Sequence, residues 1–385
     1  MTRRYPKRRD RGSARQAARE LRGQLRRPGD EHPADALDSA LDQDQPPLAD
    51  DRRRTPRTDT ATDTPPPLGH NDAWRGLVLE TASGRCWVER DGMAVACMLP
   101  SRLAALQREQ VATGDHVQLA RAADGAWWVH SVAPRRSELS RPDPHNPRLR
   151  RVLAANIDLV VHVASVRSPP LVPALLDRFL IAIAQSGAEP MIAINKCDLA
   201  TPPPPPGDLS APLLAGDREL VQLEPYRKLG IPIVLCAAST GQGIESLRRH
   251  LAGRTAVFAG HSGVGKSSLL NALGGHELAA IGTLGGRGKG RHTTTRAALI
   301  RLADDTCLID TPGIRELGLW QLGLADLARH FPDIAAHASG CRFRNCGHSH
   351  EPGCSVRQAV AGGELDAARL DTYHRIRASL APKTP

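Results

Sequence analysis

No apolar run in this 385-residue sequence approaches the length needed to cross a bilayer, and the charged start, with Arg3, Arg4 and Lys7, has no apolar stretch behind it. Neither a membrane span nor a secretory leader is therefore expected, and the protein is expected to be cytoplasmic with no membrane partner. No repeat of fixed period is present. Aliphatic clusters are almost absent from residues 1 to about 70, which are rich in Arg, Asp, Pro and Thr and cannot bury enough surface to offset the entropy of ordering. Residues 1–70 are expected to be a disordered tail, basic from Arg3 to Arg27 and acidic from Asp30 to Asp51, serving either as a solvated extension or as an RNA-binding arm. A disulfide framework is also missing: the eight cysteines are unevenly spread, with Cys341, Cys346 and Cys354 crowded beside His348.

What is present points to several folded units, because 385 residues exceed one ordinary core. The net charge of +10 and pI near 9.6 favour an anionic partner, nucleic acid first, although a solubilising charge excess gives the same number. Between Trp74 and about Val132, short β-like runs (Gly76–Leu79, Cys86–Val88, Ala94–Met98, Val117–Leu119, Trp127–Val129) are punctuated by turn signals at Gly84, Asp91-Gly92, Gly114-Asp115 and Asp124-Gly125. About five strands in so short a span predict a small closed barrel, either an OB-fold or an SH3-like barrel without a ligand. The adjacent Trp127 and Trp128 suit a barrel core.

Beyond about Asn146, buried-strand runs alternate with helical stretches: Ile157–Ala164, Met191–Ile194, Ile231–Leu235, Ala256–Ala259, Ala297–Leu302 and Thr306–Ile309. This pattern predicts a mostly parallel sheet covered by helices. Pro202 to Pro206 is a stiff surface loop.

Gly260-His261-Ser262-Gly263-Val264-Gly265-Lys266-Ser267 fits the phosphate-loop pattern, lying after the strand Ala256–Ala259 and before the helix-like Ser268 to Leu273. Glycines there let backbone amides curl round a β-phosphate, Lys266 reaches the β- and γ-oxygens, and the Ser267 hydroxyl ligates Mg²⁺ at the positive end of a helix. Asn195-Lys196-Cys197-Asp198, at the end of an apolar strand, supplies the base identity. The Asp198 carboxylate accepts from guanine N1–H and the exocyclic amine, whereas adenine would leave the charge unpaired. Asn195 can bond the base or brace the phosphate loop, the Lys196 stem can lie over the ring, and Cys236-Ala237-Ala238-Ser239 could donate amides to guanine O6.

Asp310-Thr311-Pro312-Gly313 matches the DxxG element, with Asp310 on Mg²⁺ through water and the Gly313 amide sensing the γ-phosphate. Gly285 to Arg291, followed by His292-Thr293-Thr294-Thr295, has the composition of a switch whose threonine, Thr294 by preference, completes the Mg²⁺ shell with triphosphate bound; a plain linker is the other reading. The water-positioning glutamine of Ras-like enzymes is absent, its place being held by Ile314. Cys341, Cys346, His348 and Cys354 offer four soft ligands and no spare carboxylate, which predicts one closed structural zinc site per chain; free cysteines or a redox pair are the alternatives.

These motifs, in the order NKCD, GHSGVGKSS, GRHTTT, DTPG and the cysteine cluster, resemble the circularly permuted, ribosome-associated GTPases of the small ribosomal subunit biogenesis (RsgA) family over most of residues 75 to 375. The resemblance implies a multidomain chain: an OB-fold β-barrel at 71–140, a circularly permuted α/β P-loop GTPase domain at 141–320, and a small, largely helical zinc-binding domain at 321–385. It further implies GTP hydrolysis to GDP by a monomer, with Lys266, Thr294 and His292 as catalytic residues, His292 standing in for the missing glutamine. GTP, GDP and Mg²⁺ would be held by Asn195 to Asp198, Gly260 to Ser268, Asp310 and Gly313. The partner would be the 30S subunit and its 16S rRNA during late maturation. A competing expectation is a zinc-stabilised RNA-binding protein that holds GTP with little turnover, which Ile314 favours.

Overall fold

Tight turns at Asp91-Gly92 and around Gly84 fold the first aliphatic runs into a meander of β1 (Trp74–Ala82), β2 (Arg85–Arg90) and β3 (Met93–Met98). In the computed structural model, which describes residues 66, 74–104, 110–142, 150–210, 220–274, 297–302, 305–310 and 322–380, β3 pairs parallel with β5 (Trp127–Val132). β5 pairs antiparallel with β4 (His116–Arg121), and β4 returns to β1, closing a five-stranded barrel that fits an OB-like domain. Alternation places Val78, Val88, Cys97, Leu119 and Val129 inside. Trp127 packs against this core with the guanidiniums of Arg90 and Arg121 at 4.6 and 5.5 Å from its ring, as a core role requires. Trp128, one residue on, points to the opposite face of the strand.

The expected parallel sheet is formed by β8 (Leu159–Ser165), β9 (Glu189–Asn195), β11 (Ile233–Leu235), β12 (Thr255–Ala259) and β14 (Cys307–Asp310), in the order β11-β9-β8-β12-β14. Antiparallel β10 (Gly207–Asp208) and β13 (Ala298–Arg301) extend its two ends. The strands are nearly continuous apolar runs because both faces are covered, one by helices α4 (Ile244–Leu251) and α5 (266–274), the other by α2 (Pro173–Ser186). Short helices α1 (Ser101–Ala104) and α3 (Glu224–Lys228) lie in connections.

Two features were not legible in the periodicity. Glu80 of β1 pairs with Ala298 of β13, so the barrel and the parallel sheet form one continuous twelve-stranded sheet. A separate hairpin, β6 (Glu138–Pro142) with β7 (Arg150–Ala155), stands between them. Around this junction Arg135 chelates the fully buried Asp115 through Nε and Nη2 at 2.7 and 2.8 Å and reaches Glu138 at 3.0 Å. Asn156 Nδ2 donates to the Gly114 carbonyl at 2.9 Å, and the Thr113 hydroxyl donates to the Ala297 carbonyl at 3.1 Å.

The chain ends in four helices, α6 (Leu324–Leu327), α7 (Pro332–Ala338), α8 (Ser355–Ala361) and α9 (Ala367–Leu380), packed round Leu327, Phe331, Ile334, Val356 and Ile376. Ile181 of α2 belongs to the same cluster, so this unit is built onto the α2 face of the sheet. No helix among the described residues is long and apolar enough to cross a membrane.

Candidate nucleotide site and cysteine cluster

The carboxyl ends of β8, β9, β11, β12 and β14 open onto one edge of the sheet, where an open α/β sheet takes its ligands. β12 runs into the loop Gly260 to Lys266, after which the chain is helical from 266. Gly260 and Gly265 have φ of 145° and 93°; a Cβ on them would stand 2.2 Å from the Val163 carbonyl oxygen and from Asn195 Nδ2, so only glycine permits this wrapped loop. Lys266 Nζ curls over the loop and donates to the carbonyls of Gly260 and His261 at 2.5 and 2.6 Å. Ser262, Gly263, Ser267 and Ser268 are exposed at the mouth, while Val264 is buried beneath.

Asn195 ends β9 and is 2 % exposed. Its Nδ2 donates to the Val264 carbonyl at 3.0 Å, and its Oδ1 accepts from the Ala238 amide at 3.1 Å. Of the two roles open to it, bracing the phosphate loop is the one the geometry takes. Lys196, at φ 60°, donates to the carbonyls of Gly263 (2.6 Å) and Ser168. Cys197 is buried, and burial pushes its thiol up to about 12, so it is packing and not chemistry. Asp198 Oδ2 accepts from the Ser239 hydroxyl at 3.3 Å, whereas Oδ1 is a buried acceptor without a protein partner. An unpaired carboxylate oxygen is an acceptor that a guanine edge can use once the side chain turns to uncover it.

Of the four expected amide donors, three are occupied and that of Ser239 is left. The amides of Cys236, Ala237 and Ala238 are taken by Ile194 O, Gln242 O and Asn195 Oδ1, because this turn is itself braced by the sheet and by Asn195.

Asp310 closes β14 beside β12, and burial raises its carboxyl despite the opposing charge of Lys266. Its partly buried carboxylate and the exposed Ser267 hydroxyl are the donor pair present for Mg²⁺, both oxygen ligands as that ion demands. Gly313, Ile314, Gly285 to Arg291, His292 and Thr294 lie outside the described residues, as does the tail expected at 1–70 apart from Pro66.

One buried histidine beneath this loop escaped sequence reasoning. His162, 2 % exposed in β8, stacks on Phe179 of α2 with ring centroids 4.0 Å apart, and Phe179 meets His261 edge-on at 6.1 Å. Burial, then the neighbouring His261 and Lys266, pushes His162 down to about 3. A polar residue inside an otherwise apolar strand was the available signal.

The cysteine cluster lies between α7 and α8. His348 Nδ1 is 3.6 Å from Cys341 Sγ and 3.5 Å from Cys354 Sγ, the two sulfurs are 3.9 Å apart, and all four ligand atoms, Cys346 included, lie within 4.8 Å. Thiolate and imidazole bonds of about 2.3 and 2.0 Å place tetrahedral ligand atoms roughly 3.5 to 3.8 Å apart, so the cluster could bind zinc. Glu351 binds the amides of Gly347, Ser349 and His350, and Arg377 and His374 bind the Gly347 carbonyl at 2.9 and 3.2 Å, fixing the ligand loop from outside.

A family model described as RsgA GTPase matches residues 132–320. The chain is 41% identical over 257 residues to the small ribosomal subunit biogenesis GTPase RsgA of Sodalis glossinidius (strain morsitans), covering 66% of this chain and 70% of that protein. It is 34% identical over 339 residues to the protein of the same description from Yersinia enterocolitica, covering 84% and 91%. Among solved structures it is similar to YjeQ from Thermotoga maritima, with a TM-score of 0.61 and 30% identity over 81% of this chain and 99% of that one. It is also similar to YloQ, a circularly permuted GTPase, with a TM-score of 0.58 and 27% identity over 82% and 99%.

Proposed function

Because the chain belongs to the RsgA GTPase family, whose members it matches along most of their length, we propose that it hydrolyses GTP as a timer for engaging and leaving the small ribosomal subunit during late maturation. The observation that carries this reading is the Asn195 clamp, which ties the base-reading loops to the phosphate loop in the permuted order of the motifs. Asp198 reads guanine through its carboxylate once the unpaired Oδ1 is uncovered, with the Lys196 stem along the ring. The amides and Lys266 of Gly260 to Ser268 hold the β- and γ-phosphates, and releasing Lys266 from its own loop carbonyls readies it for the γ-phosphate. Ser267 directly and Asp310 through water would hold Mg²⁺, which would supply charge neutralisation at the phosphates. The Gly313 amide senses the γ-phosphate, Thr294 would complete the Mg²⁺ shell when triphosphate is bound, and His292 orients the attacking water in place of a glutamine.

In this reading the barrel is an OB-fold that contacts 16S rRNA, the cluster at Cys341, Cys346, His348 and Cys354 holds a structural zinc, and the protein works as a cytoplasmic monomer. The domains run 71–140, 141–320 and 321–385, after the 1–70 tail. Thr113, on the barrel side, holds the carbonyl of Ala297, where the chain leaves the switch segment, so nucleotide state has a short route to the barrel. The competing reading, GTP as a passive ligand, draws on Ile314. Cosedimentation with small subunits tests the cycle: retention with a non-hydrolysable GTP analogue at least several-fold above retention with GDP is expected. Equal retention in both states would end the timer reading.

A further inference from the structure

The helical C-terminal unit buries its large apolar side chains, Phe331 and Tyr373 among them, yet leaves one ring outside. Phe343 is 41 % exposed, the one aromatic among the exposed large apolar side chains of the described residues. It sits in the tip Arg342-Phe343-Arg344-Asn345, all exposed, which the ligands Cys341 and Cys346 bracket. The tip is held by its own backbone: Arg342 N donates to the Gly353 carbonyl at 3.1 Å and Cys346 N to the Phe343 carbonyl at 3.2 Å. The Arg342 guanidinium stands 5.6 Å from the ring centre.

We propose that this tip is a docking site for an unpaired RNA base, which stacks on the Phe343 ring while Arg342 and Arg344 take the flanking phosphates. The inference rests on the proposed function for its RNA partner and names how that partner is held. An exposed ring flanked in sequence by two exposed arginines, on a turn already ordered, matches a nucleotide in both respects: a π-face for the base and cations for the backbone. The tip carries no acid, and the nearby Glu351 is spent on the amides of Gly347, Ser349 and His350. One isolated ring with two charges is too little apolar surface for a membrane. Single-stranded or loop RNA, in which bases can be splayed out, is the form it fits, since a duplex keeps its bases stacked.

The test uses the full chain and a labelled twelve-nucleotide single-stranded RNA of mixed sequence, alongside its duplex, followed by anisotropy across a salt series. Phe343→Ala and Phe343→Leu are expected to weaken single-strand binding about tenfold without changing the salt slope, because stacking and not bulk is lost. Phe343→Trp should retain affinity, duplex binding should be unaffected, and the Arg342→Gln, Arg344→Gln pair should instead flatten the salt slope. Basal GTP turnover of each variant checks that the fold survives. Wild-type single-strand affinity in Phe343→Leu overturns the proposal. So does a loss of subunit binding with no loss of oligonucleotide binding, which would mean the ring docks on protein. Failure of the wild-type chain to retain subunits in the GTP state defeats the functional reading instead, whatever the oligonucleotide does.

Discussion

Guanine presents two donors to Asp198, and xanthine replaces the exocyclic amine with a carbonyl. Asp198→Asn exchanges an acceptor for a donor and should move preference from GTP to XTP by at least tenfold, measured by competition binding; unchanged guanine preference would remove the base-reading role from this residue. His162 makes a second residue-level prediction. Its imidazole sits near 3 against an ordinary 6.5, so the unfolded chain takes the proton first. The stability it supports is whole above pH 6.5 and is lost progressively as pH falls toward 3, amounting to about 2 kcal/mol by pH 5. Unfolding free energy should therefore fall more steeply between pH 7 and 5 in the wild type than in His162→Gln, and parallel urea-titration profiles would contradict the assignment. The two residues also differ in legibility. Asp198 belongs to a contiguous motif whose chemistry is local, whereas His162 acquires its surroundings from Phe179 on α2 and His261 on the phosphate loop, which only the packed sheet brings near.

Helix α2 carries the joint between the parallel sheet and the C-terminal unit. Arg369 of α9, 4 % exposed, pairs with the buried Asp177 of α2 and chelates Asp333 of α7 at 2.8 and 3.0 Å, with its guanidinium 4.6 Å from the Phe331 ring. Burial raises the Asp177 carboxyl to about 6 against the opposing pull of Arg369, and the guanidinium is held charged by its two carboxylates. Removing one member leaves the others buried without a counter-charge, so Arg369→Met should cost about 3–5 kcal/mol, read as a lowered denaturation midpoint of the C-terminal helices. A change within the error of the midpoint would show the pair to be incidental. Most strands were legible element by element, since Gly and Asp-Gly turns and apolar runs mark them locally, and the run at Ala256–Ala259 becomes β12 (Thr255–Ala259); of the helices only the stretch after the phosphate loop was placed. The hairpin of β6 and β7 was not, because Arg150 and Arg151 conceal its alternation, and neither was Arg369, one arginine among many in the sequence.

At the scale of the molecule, the permuted order decides what the switches can pull on. β14 leads out of the nucleotide site toward the C-terminal helices, and β13 pairs both with β14 and with β1 of the barrel. Both flanking units are thus covalently or sheet-bonded neighbours of the proposed nucleotide site. The proposed domain series is what the resemblance of the motifs implies, but the continuity of barrel and sheet depends on a pairing between residues 80 and 298, which no local pattern contains. Such an arrangement has a consequence in both directions: if nucleotide state changes the affinity for the subunit, a bound subunit changes nucleotide affinity by the same factor, and the proposed cycle adds that the subunit also speeds hydrolysis. The most direct measurement is GTP turnover at saturating nucleotide with and without purified small subunits. The account predicts at least tenfold acceleration by small subunits and none by large ones; the same slow rate in their presence would contradict it.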